Sequence, residues 1–276
     1  MACVLGDSEF DKERGRNNRP VPYQNYKKRP EQEMNTELKT VLLQNVYAAY
    51  DKFAKGVENV CGIGCASCCT QNVSVTAIEA HCILDWLNKE DRLDFMKSLR
   101  SIPAKTICRP AITTNGLADK CLNQIEPPEE EVPSVTGVCP FLNKADRTCF
   151  IYEVRPFSCR SFFSKKKCED HGHADIEPVL LTVNSVFLQV IEHIDSESLF
   201  GNMIEMLLFL GDKMNHDRYV KRGTLPSSNG FLQTRPIPGF IIPPEDEYKT
   251  LYALNTLYNT EVNNTTFRNI IMGTAS

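Results

Sequence analysis

The sequence predicts a mainly α fold, in which a helical frame surrounds a cysteine-rich core with a short β-hairpin. Apolar residues recur at helical spacing over residues 36–60 and again over residues 178–194, so each stretch presents one apolar face. Between them the cysteines gather in two stretches, and Gly62 and Gly64 interrupt the helical pattern where the first begins. These patterns together predict helices that hold an irregular, cysteine-bearing centre.

The first cysteine stretch is predicted to lie between helices. Residues 36–60 form the preceding helix. Thr76 and Glu79 have the spacing of a capping box, which predicts a second helix from there to about Asn88. A further helix is predicted over residues 91–99. The ends of the cysteine loop are therefore expected to be held in place.

The second cysteine stretch is predicted to begin with a hairpin. Residues 139–152 contain a polar turn sequence between two short apolar runs, which would place Cys139 and Cys149 close together. The residue before a proline avoids helical geometry. Because residues 154–163 contain Pro156, they are expected to form a turn or a late helix start.

The C-terminal part of the chain has helical patterns. Apolar positions recur over residues 178–194, and a second apolar helix is predicted from Ser196 to near Gly211. Residues 226–244 are rich in Pro, Gly and Ser, which favours a loop. Residues 245–258 are predicted to form a final amphipathic helix.

The composition is that of an ordinary globular chain. The 276 residues are 42% hydrophobic and 24% charged, and the net charge is -4. The acidic balance counts against nucleic acid as a partner. No apolar run approaches the roughly 18 residues that a membrane span needs, and the polar start of the chain does not have the pattern of a signal peptide. We therefore expect a cytoplasmic protein without a membrane partner.

The twelve cysteines are the strongest functional signal. In a short secreted chain they would indicate disulfides, but this chain is not short and has no visible secretory signal. Thiols that are bunched this closely in a reducing compartment more often hold a metal or do redox work. Metal binding is therefore the favoured interpretation, and disulfides are the alternative.

The predicted metal ligands exceed what one ion needs. They are Cys61, Cys65, Cys68, Cys69, Cys139, Cys149, Cys159 and, as an eighth, Cys168. A tetrahedral zinc ion takes four ligands, so either two metals are bound or one cluster uses four of the thiols. Neighbouring side chains of an extended chain point to opposite sides, so the adjacent Cys68 and Cys69 suit two metals, or one ligand and one free thiol.

Two arginines flank the last cysteine of the second stretch. Arg155 and Arg160 could donate to sulfur and offset the negative charge of a thiolate site, or they could pair with surface carboxylates. Cys82 lies within an apolar helical pattern and is interpreted as a core residue. His81 and His193 are interpreted as structural histidines.

We expect three parts in the chain. Residues 1–35 are predicted to be a flexible basic N-terminal arm. Residues 36–175 are predicted to form the cysteine-cluster metal-binding domain, in which residues 103–133 are less regular. Residues 176–276 are predicted to be a helical region packed on the core.

The cysteine pattern resembles that of a known family. It consists of CxxxCxxCC at residues 61–69, CPFL at residues 139–142, and a later cysteine followed by RPxxCR at residues 155–160. This pattern is similar to the zinc- or iron-chelating cysteine-cluster proteins, often called YkgJ-like. The resemblance implies chelation of zinc or iron, with an iron–sulfur cluster as one form, and it implies no particular reaction.

A related group, the flagellin lysine methylases, has a similar cysteine motif, and that resemblance implies an iron–sulfur cluster and S-adenosylmethionine. The chain has no Gly-rich turn between a strand and a helix of the kind that marks an ordinary methyltransferase cofactor site. It also lacks the alternation of strands and helices of a radical-enzyme barrel. Whether the protein is an enzyme is thus left open.

Three hypotheses follow from the sequence. The first is a metal-binding protein whose partner is the metal ion itself. The second is an iron–sulfur enzyme that transfers a methyl group to a protein. The third is an interaction module stapled by zinc, in which the basic arm contacts a protein partner.

Overall fold

The computed structural model describes residues 34–92, 94–130 and 136–273. These residues form helices with three short strands in one sheet and two in another. The α-helices are α1 (Thr36–Ala54), α2 (Ala77–Lys89), α3 (Phe95–Leu99), α4 (Thr114–Leu122), α5 (Phe157–Arg160), α6 (Cys168–His171), α7 (Pro178–Ile194), α8 (Met203–Leu210), α9 (Lys213–Arg222), α10 (Glu247–Tyr258) and α11 (Phe267–Met272). The strands are β1 (Ser74–Thr76), β2 (Leu199–Asn202), β3 (Leu232–Gln233), β4 (Glu261–Val262) and β5 (Thr265–Thr266). The mainly α prediction is confirmed.

Helix α7 runs through the centre of the molecule. Pro178 occupies its first turn, where a missing backbone N–H costs nothing. Its apolar face, which includes Val183, Phe187 and Ile191, is fully buried. Helices α1, α4 and α10 pack against it, and α2 packs against α8. The predicted bounds of this helix, residues 178–194, are confirmed.

One continuous apolar core joins the cysteine-bearing part to the C-terminal helices. It contains Leu42 from α1, Ile83 from α2, Val186 from α7 and Leu254 from α10. The predicted division of the chain at residue 175 stays a prediction. Residues 1–33 of the predicted basic arm and residues 131–135 lie outside the described residues.

The capping-box prediction for α2 is confirmed. Glu79 accepts hydrogen bonds from the backbone N–H and the hydroxyl of Thr76, both at 3.0 Å. The helix then runs to Lys89, one residue beyond the predicted end. Local side-chain chemistry was therefore sufficient to place this element.

Two predicted helices are shorter than expected. Helix α1 ends at Ala54 rather than at residue 60, because the chain tightens into turns where Gly56 N–H donates to Phe53 O at 3.0 Å. The helix predicted over residues 91–99 begins only at Phe95. Asp91 there has a φ of 54°, a left-handed conformation that interrupts helical continuation.

The helix predicted from Ser196 was wrong in its first half. Residues Leu199–Asn202 form β2, the central strand of an antiparallel sheet with β1 on one side and β3 on the other. Asn202 then caps α8 by accepting from Ile204 N–H at 2.9 Å. An apolar run continues across both elements, so periodicity could not separate the strand from the helix.

Four of the described helices were not predicted: α4, α6, α9 and α11. Side-chain caps from Thr113, Asp212 and Thr266 begin α4, α9 and α11 respectively, whereas α6 has no such cap. Helix α10 begins at Glu247, as expected to within two residues, but β4, β5 and α11 follow it. It is therefore not the final helix.

No helix among the described residues is both long enough and apolar enough to cross a membrane.

Candidate metal centre

Backbone hydrogen bonds hold the two cysteine stretches side by side. Cys139 N–H donates to Cys69 O at 2.9 Å, and Gln71 N–H donates to Gly137 O at 2.9 Å. Between these bonds, Thr70 and Val138 form an antiparallel bridge. Two segments about seventy residues apart in sequence therefore meet, as the sequence predicts.

The first cysteine loop consists of consecutive tight turns. Cys65 N–H donates to Gly62 O, and Cys69 N–H donates to Ala66 O, each at 3.0 Å. Gly64 has a φ of 88°, a conformation that glycine adopts without steric cost. These turns keep the four thiols of the loop within a short stretch of space.

The start of the loop is tied to a distant segment through Ser164. Val60 N–H donates to Ser164 O at 2.9 Å, and Ser164 N–H donates to the Cys61 sulfur at 3.3 Å. Ser164 could not be identified from the sequence, because a backbone donor leaves no signal in residue type. This tie brings the segment that leads to Cys168 next to Cys61.

The predicted hairpin is present, but a single β-bridge joins its two arms and neither arm forms a strand. Asn143 N–H donates to Thr148 O at 2.9 Å, and Phe150 N–H donates to Phe141 O at 2.8 Å. Leu142 and Cys149 form a single bridge. The turn brings Cys149 back towards Cys139, and these thiols interact electrostatically.

Helix α5 fixes the position of Cys159. The helix begins directly after Pro156, which agrees with the predicted late helix start. Phe157 is fully buried and packs edge-on against Tyr50 at 4.7 Å between ring centroids. Glu79 accepts from Phe157 N–H at 2.9 Å. Cys159 therefore sits on an element that is anchored in the core.

Three thiols act electrostatically on Cys61. Burial raises the pKa of the Cys61 thiol, the Ser164 N–H lowers it, and three neighbouring thiols raise it further. The three neighbours are Cys65, Cys68 and Cys168. We call these four residues the first thiol set.

Three other thiols act electrostatically on Cys69. Its pKa is lowered by a hydrogen bond from Cys68, while burial and three further thiols raise it. Those three are Cys139, Cys149 and Cys159, and with Cys69 they form what we call the second thiol set. Burial is the main cause that raises the pKa of Cys139 to about 11 and also raises the pKa of Cys159.

Cys68 lies at the junction of the two sets. Its pKa is raised first by the hydrogen bond to Cys69 and then by burial. It also acts electrostatically on Cys139 and Cys159 of the second set. The adjacent pair Cys68 and Cys69 thus joins the first set to the second, as their neighbouring positions in the chain require.

Arg155 faces the thiols, whereas Arg160 faces a carboxylate. The positive charge of Arg155 lowers the pKa of both Cys149 and Cys159 against the raising effect of burial. The Nη1 of Arg160 instead donates to Asp51 at 2.9 and 3.2 Å. Both Nε atoms are buried, and neither has a hydrogen-bond partner among the described residues.

The cysteine sulfurs of the two sets are ligand atoms that suit zinc or iron. All eight cysteines of the two sets are free thiols, and thiolates are preferred ligands of both metals. The orphaned Arg155 Nε–H would gain an acceptor in a metal-bound sulfur. Within residues 34–92, 94–130 and 136–273, no three Cys, His, Asp or Glu side chains already converge on one point. Binding therefore requires the thiols to turn towards the ion.

Two residues interpreted as structural lie apart from the thiol sets. Cys82 is half-buried on α2, and its sulfur contacts the Thr40 hydroxyl at 4.0 Å. His193 is buried between two backbone groups, with Nε2 at 3.1 Å from Ile271 O and Nδ1 accepting from Ile237 N–H at 3.3 Å. Both contacts agree with packing roles.

The family comparison covers this same region of the chain. Residues 60–175 match the family model CxxCxxCC, described as "Putative zinc- or iron-chelating domain". The matched segment resembles that family over 116 of the chain's 276 residues. It contains both thiol sets and ends just before α7. Its first two cysteines are separated here by three residues, one more than the family's name denotes.

No curated protein and no solved structure matches the chain.

Proposed function

We propose that this protein chelates two metal ions, zinc or iron, one in each thiol set. The first set consists of Cys61, Cys65, Cys68 and Cys168, and the second consists of Cys69, Cys139, Cys149 and Cys159. The observation that carries the proposal is the hydrogen-bonded meeting of the two cysteine stretches, in which all eight thiols are free. The division into two fours follows the thiols that act on Cys61 and on Cys69. Four thiolates complete the coordination of one tetrahedral ion.

The mutual effect of neighbouring thiols supports chelation. Without a metal, neighbouring thiols raise the pKa of Cys61 and of Cys159, because thiolates that lie close together repel. A bound divalent cation reverses this effect, since it favours the thiolate form of every ligand. Chelation would thus stabilise an arrangement that is unfavourable for ionised cysteines alone.

An iron–sulfur cluster in the second set is the alternative. The observation behind it is that the second set offers four free thiols, the number that holds one iron–sulfur cluster. The buried Arg155 Nε–H, which has no acceptor among the described residues, would suit a sulfur of a zinc site or of a cluster. Hydrogen bonds to the sulfurs of a cluster tune its reduction potential. Either form requires reduced thiols, which supports a cytoplasmic location.

Metal analysis and an absorption spectrum of one anaerobically purified sample test the proposal. Two zinc or iron ions per chain are expected. Zinc gives no visible band, whereas an iron–sulfur cluster gives a broad one together with acid-labile sulfide. A protein that holds no metal after anaerobic purification, and takes up none when zinc or ferrous iron is added, would contradict the proposal.

Single substitutions test the division into two sets. Cys168→Ser is expected to remove the metal of the first set, and Cys149→Ser that of the second, so each variant should retain one metal per chain. Cys82→Ser is the matched control and should retain both metals, because this cysteine lies outside both sets. Loss of both metals from each ligand variant would favour one shared site over two.

A further inference from the structure

Two histidines outside the thiol sets face each other across a pair of helices. His81 lies on α2 and His216 lies on α9. The Nδ1 of His81 is 3.2 Å from the Nε2 of His216, and the ring planes are inclined by 31°. Both rings are half-buried, so solutes can reach them from solvent.

Neighbouring groups hold the two rings in this position. The Tyr219 ring meets the edge of His81 at 5.8 Å between centroids. Tyr219 is itself fully buried, and its hydroxyl donates to Asp195 at 2.7 Å. Asp212 fixes the start of α9 by accepting from Met214 N–H at 3.0 Å. The imidazoles are therefore placed by the core.

We propose that His81 Nδ1 and His216 Nε2 bind one divalent cation of intermediate softness, such as Zn²⁺. Zn–N bonds of about 2.0–2.1 Å at a tetrahedral angle separate two ligand nitrogens by about 3.3 Å. The separation of 3.2 Å in this pair matches that value. Water completes the coordination, since among the described residues no third Cys, His, Asp or Glu joins the pair.

Binding at this pair requires little chemical rearrangement. A neutral imidazole carries its single proton on Nδ1 or on Nε2. A cation at Nδ1 of neutral His81 therefore requires only the tautomer with the proton on Nε2, and no proton has to be released from this ring. Burial, followed by the neighbouring His216, lowers the pKa of His81 to about 4, so this ring is already neutral.

This site is separate from the two thiol sets in its ligands and in the helices that carry them. Its ligands are imidazoles rather than thiolates, and His216 lies beyond residues 60–175. A cation held here would join α2, within the matched segment, to α9 beyond it. The inference does not depend on occupancy of either thiol set.

Calorimetric titration of the purified, metal-loaded protein with zinc chloride tests the inference. One further zinc ion per chain is expected to bind after the thiols are saturated. His216→Ala and His81→Ala should each weaken this event at least tenfold, and circular dichroism should confirm that both variants are folded. In the wild type, long-range nitrogen NMR should show zinc-dependent shifts at Nδ1 of His81 and Nε2 of His216.

Matched controls separate this site from the thiol sets and from surface imidazoles. The double variant His171→Ala, His173→Ala removes two exposed histidines and should retain the event. Cys168→Ser should also retain it, even if the thiol proposal fails. The inference is overturned if the wild type binds no further zinc, or if both pair variants bind it as the wild type does.

Discussion

At the scale of single residues, Arg155 and Arg160 of the same motif differ in the groups that their guanidinium ions contact. The Arg155 guanidinium lies 4.0 Å from the centroid of the Tyr152 ring, which holds the charge in a fixed place. From there it acts electrostatically on Cys68, Cys149 and Cys159. Removal of this charge would take away the cation that acts on Cys149 and Cys159, although Arg147 would still act on Cys69.

Arg155→Leu is therefore expected to weaken metal binding at the second set by about tenfold to a hundredfold. The number of bound metals at saturation should not change, because all the thiols remain. Competition with a chromophoric chelator measures the affinity. Arg160→Leu is the control. The Arg160 guanidinium forms an ion pair with Asp51 and lies over the Tyr47 ring, so metal affinity should stay near that of the wild type. Equal weakening in both variants would contradict the distinction.

At the scale of elements, Glu79 connects three helices. Its carboxylate closes the capping box of α2 and also accepts from Tyr47 OH of α1 at 3.0 Å and from Phe157 N–H of α5 at 2.9 Å. Glu79 is buried, so a donor that lost this acceptor would stay unpaired away from water and would lower the stability of the fold. The start of α5, and with it Cys159, thus depends on one carboxylate.

Glu79→Gln should lower the free energy of unfolding by about 1–3 kcal/mol, because the amide offers one acceptor oxygen in place of two and leaves a buried donor unpaired. Urea denaturation measures the change. Glu90→Gln, at the exposed end of the same helix, should change stability by less than about 0.5 kcal/mol. A loss that is equally small in Glu79→Gln would show that the carboxylate does not hold the helices together.

Elements with local signals could be predicted from sequence, and elements defined by distant contacts could not. The capping box of α2 and the apolar face of α7 each depend on residues that lie close together in the sequence. By contrast, β2 became a strand because β1 and β3 pair with it, for example Val75 with Gly201. An apolar run that ends in an asparagine cap does not reveal such partners.

The same distinction applies to the candidate metal centre. The eight thiols and the proximity of the two stretches follow from motif spacing. Their grouping does not, because Cys168 approaches Cys61 only through the backbone bonds of Ser164. The contact between His81 and His216 could not be predicted from the sequence either, since 135 residues separate the two.

At the scale of the whole molecule, the buried core contains a carboxyl group that titrates near neutral pH. Glu192 on α7 is 1% exposed and accepts from Asn115 N–H at 2.7 Å and from Arg235 N–H at 2.9 Å. Burial dominates these bonds and raises its pKa from 4.5 to about 7. The protonated form is therefore favoured by folding, and the stability of the entire core is linked to pH.

The sign of this linkage follows from proton binding. Below about pH 4.5 the carboxyl is protonated in the folded and the unfolded chain alike. Between about pH 4.5 and 7 only the folded chain retains the proton, so the contribution of Glu192 to the free energy of unfolding falls as the pH rises. A shift of this size corresponds to about 3 kcal/mol across the window.

Glu192→Gln cannot titrate, so its stability should lack this decline. The difference in unfolding free energy, wild type minus variant, should fall by up to about 3 kcal/mol between pH 4.5 and 7 and then level off. Urea denaturation of both proteins at each pH measures it. Both carry the same thiols, so metal release at low pH cancels in the difference. Parallel stability curves would show that Glu192 does not retain its proton in the folded core.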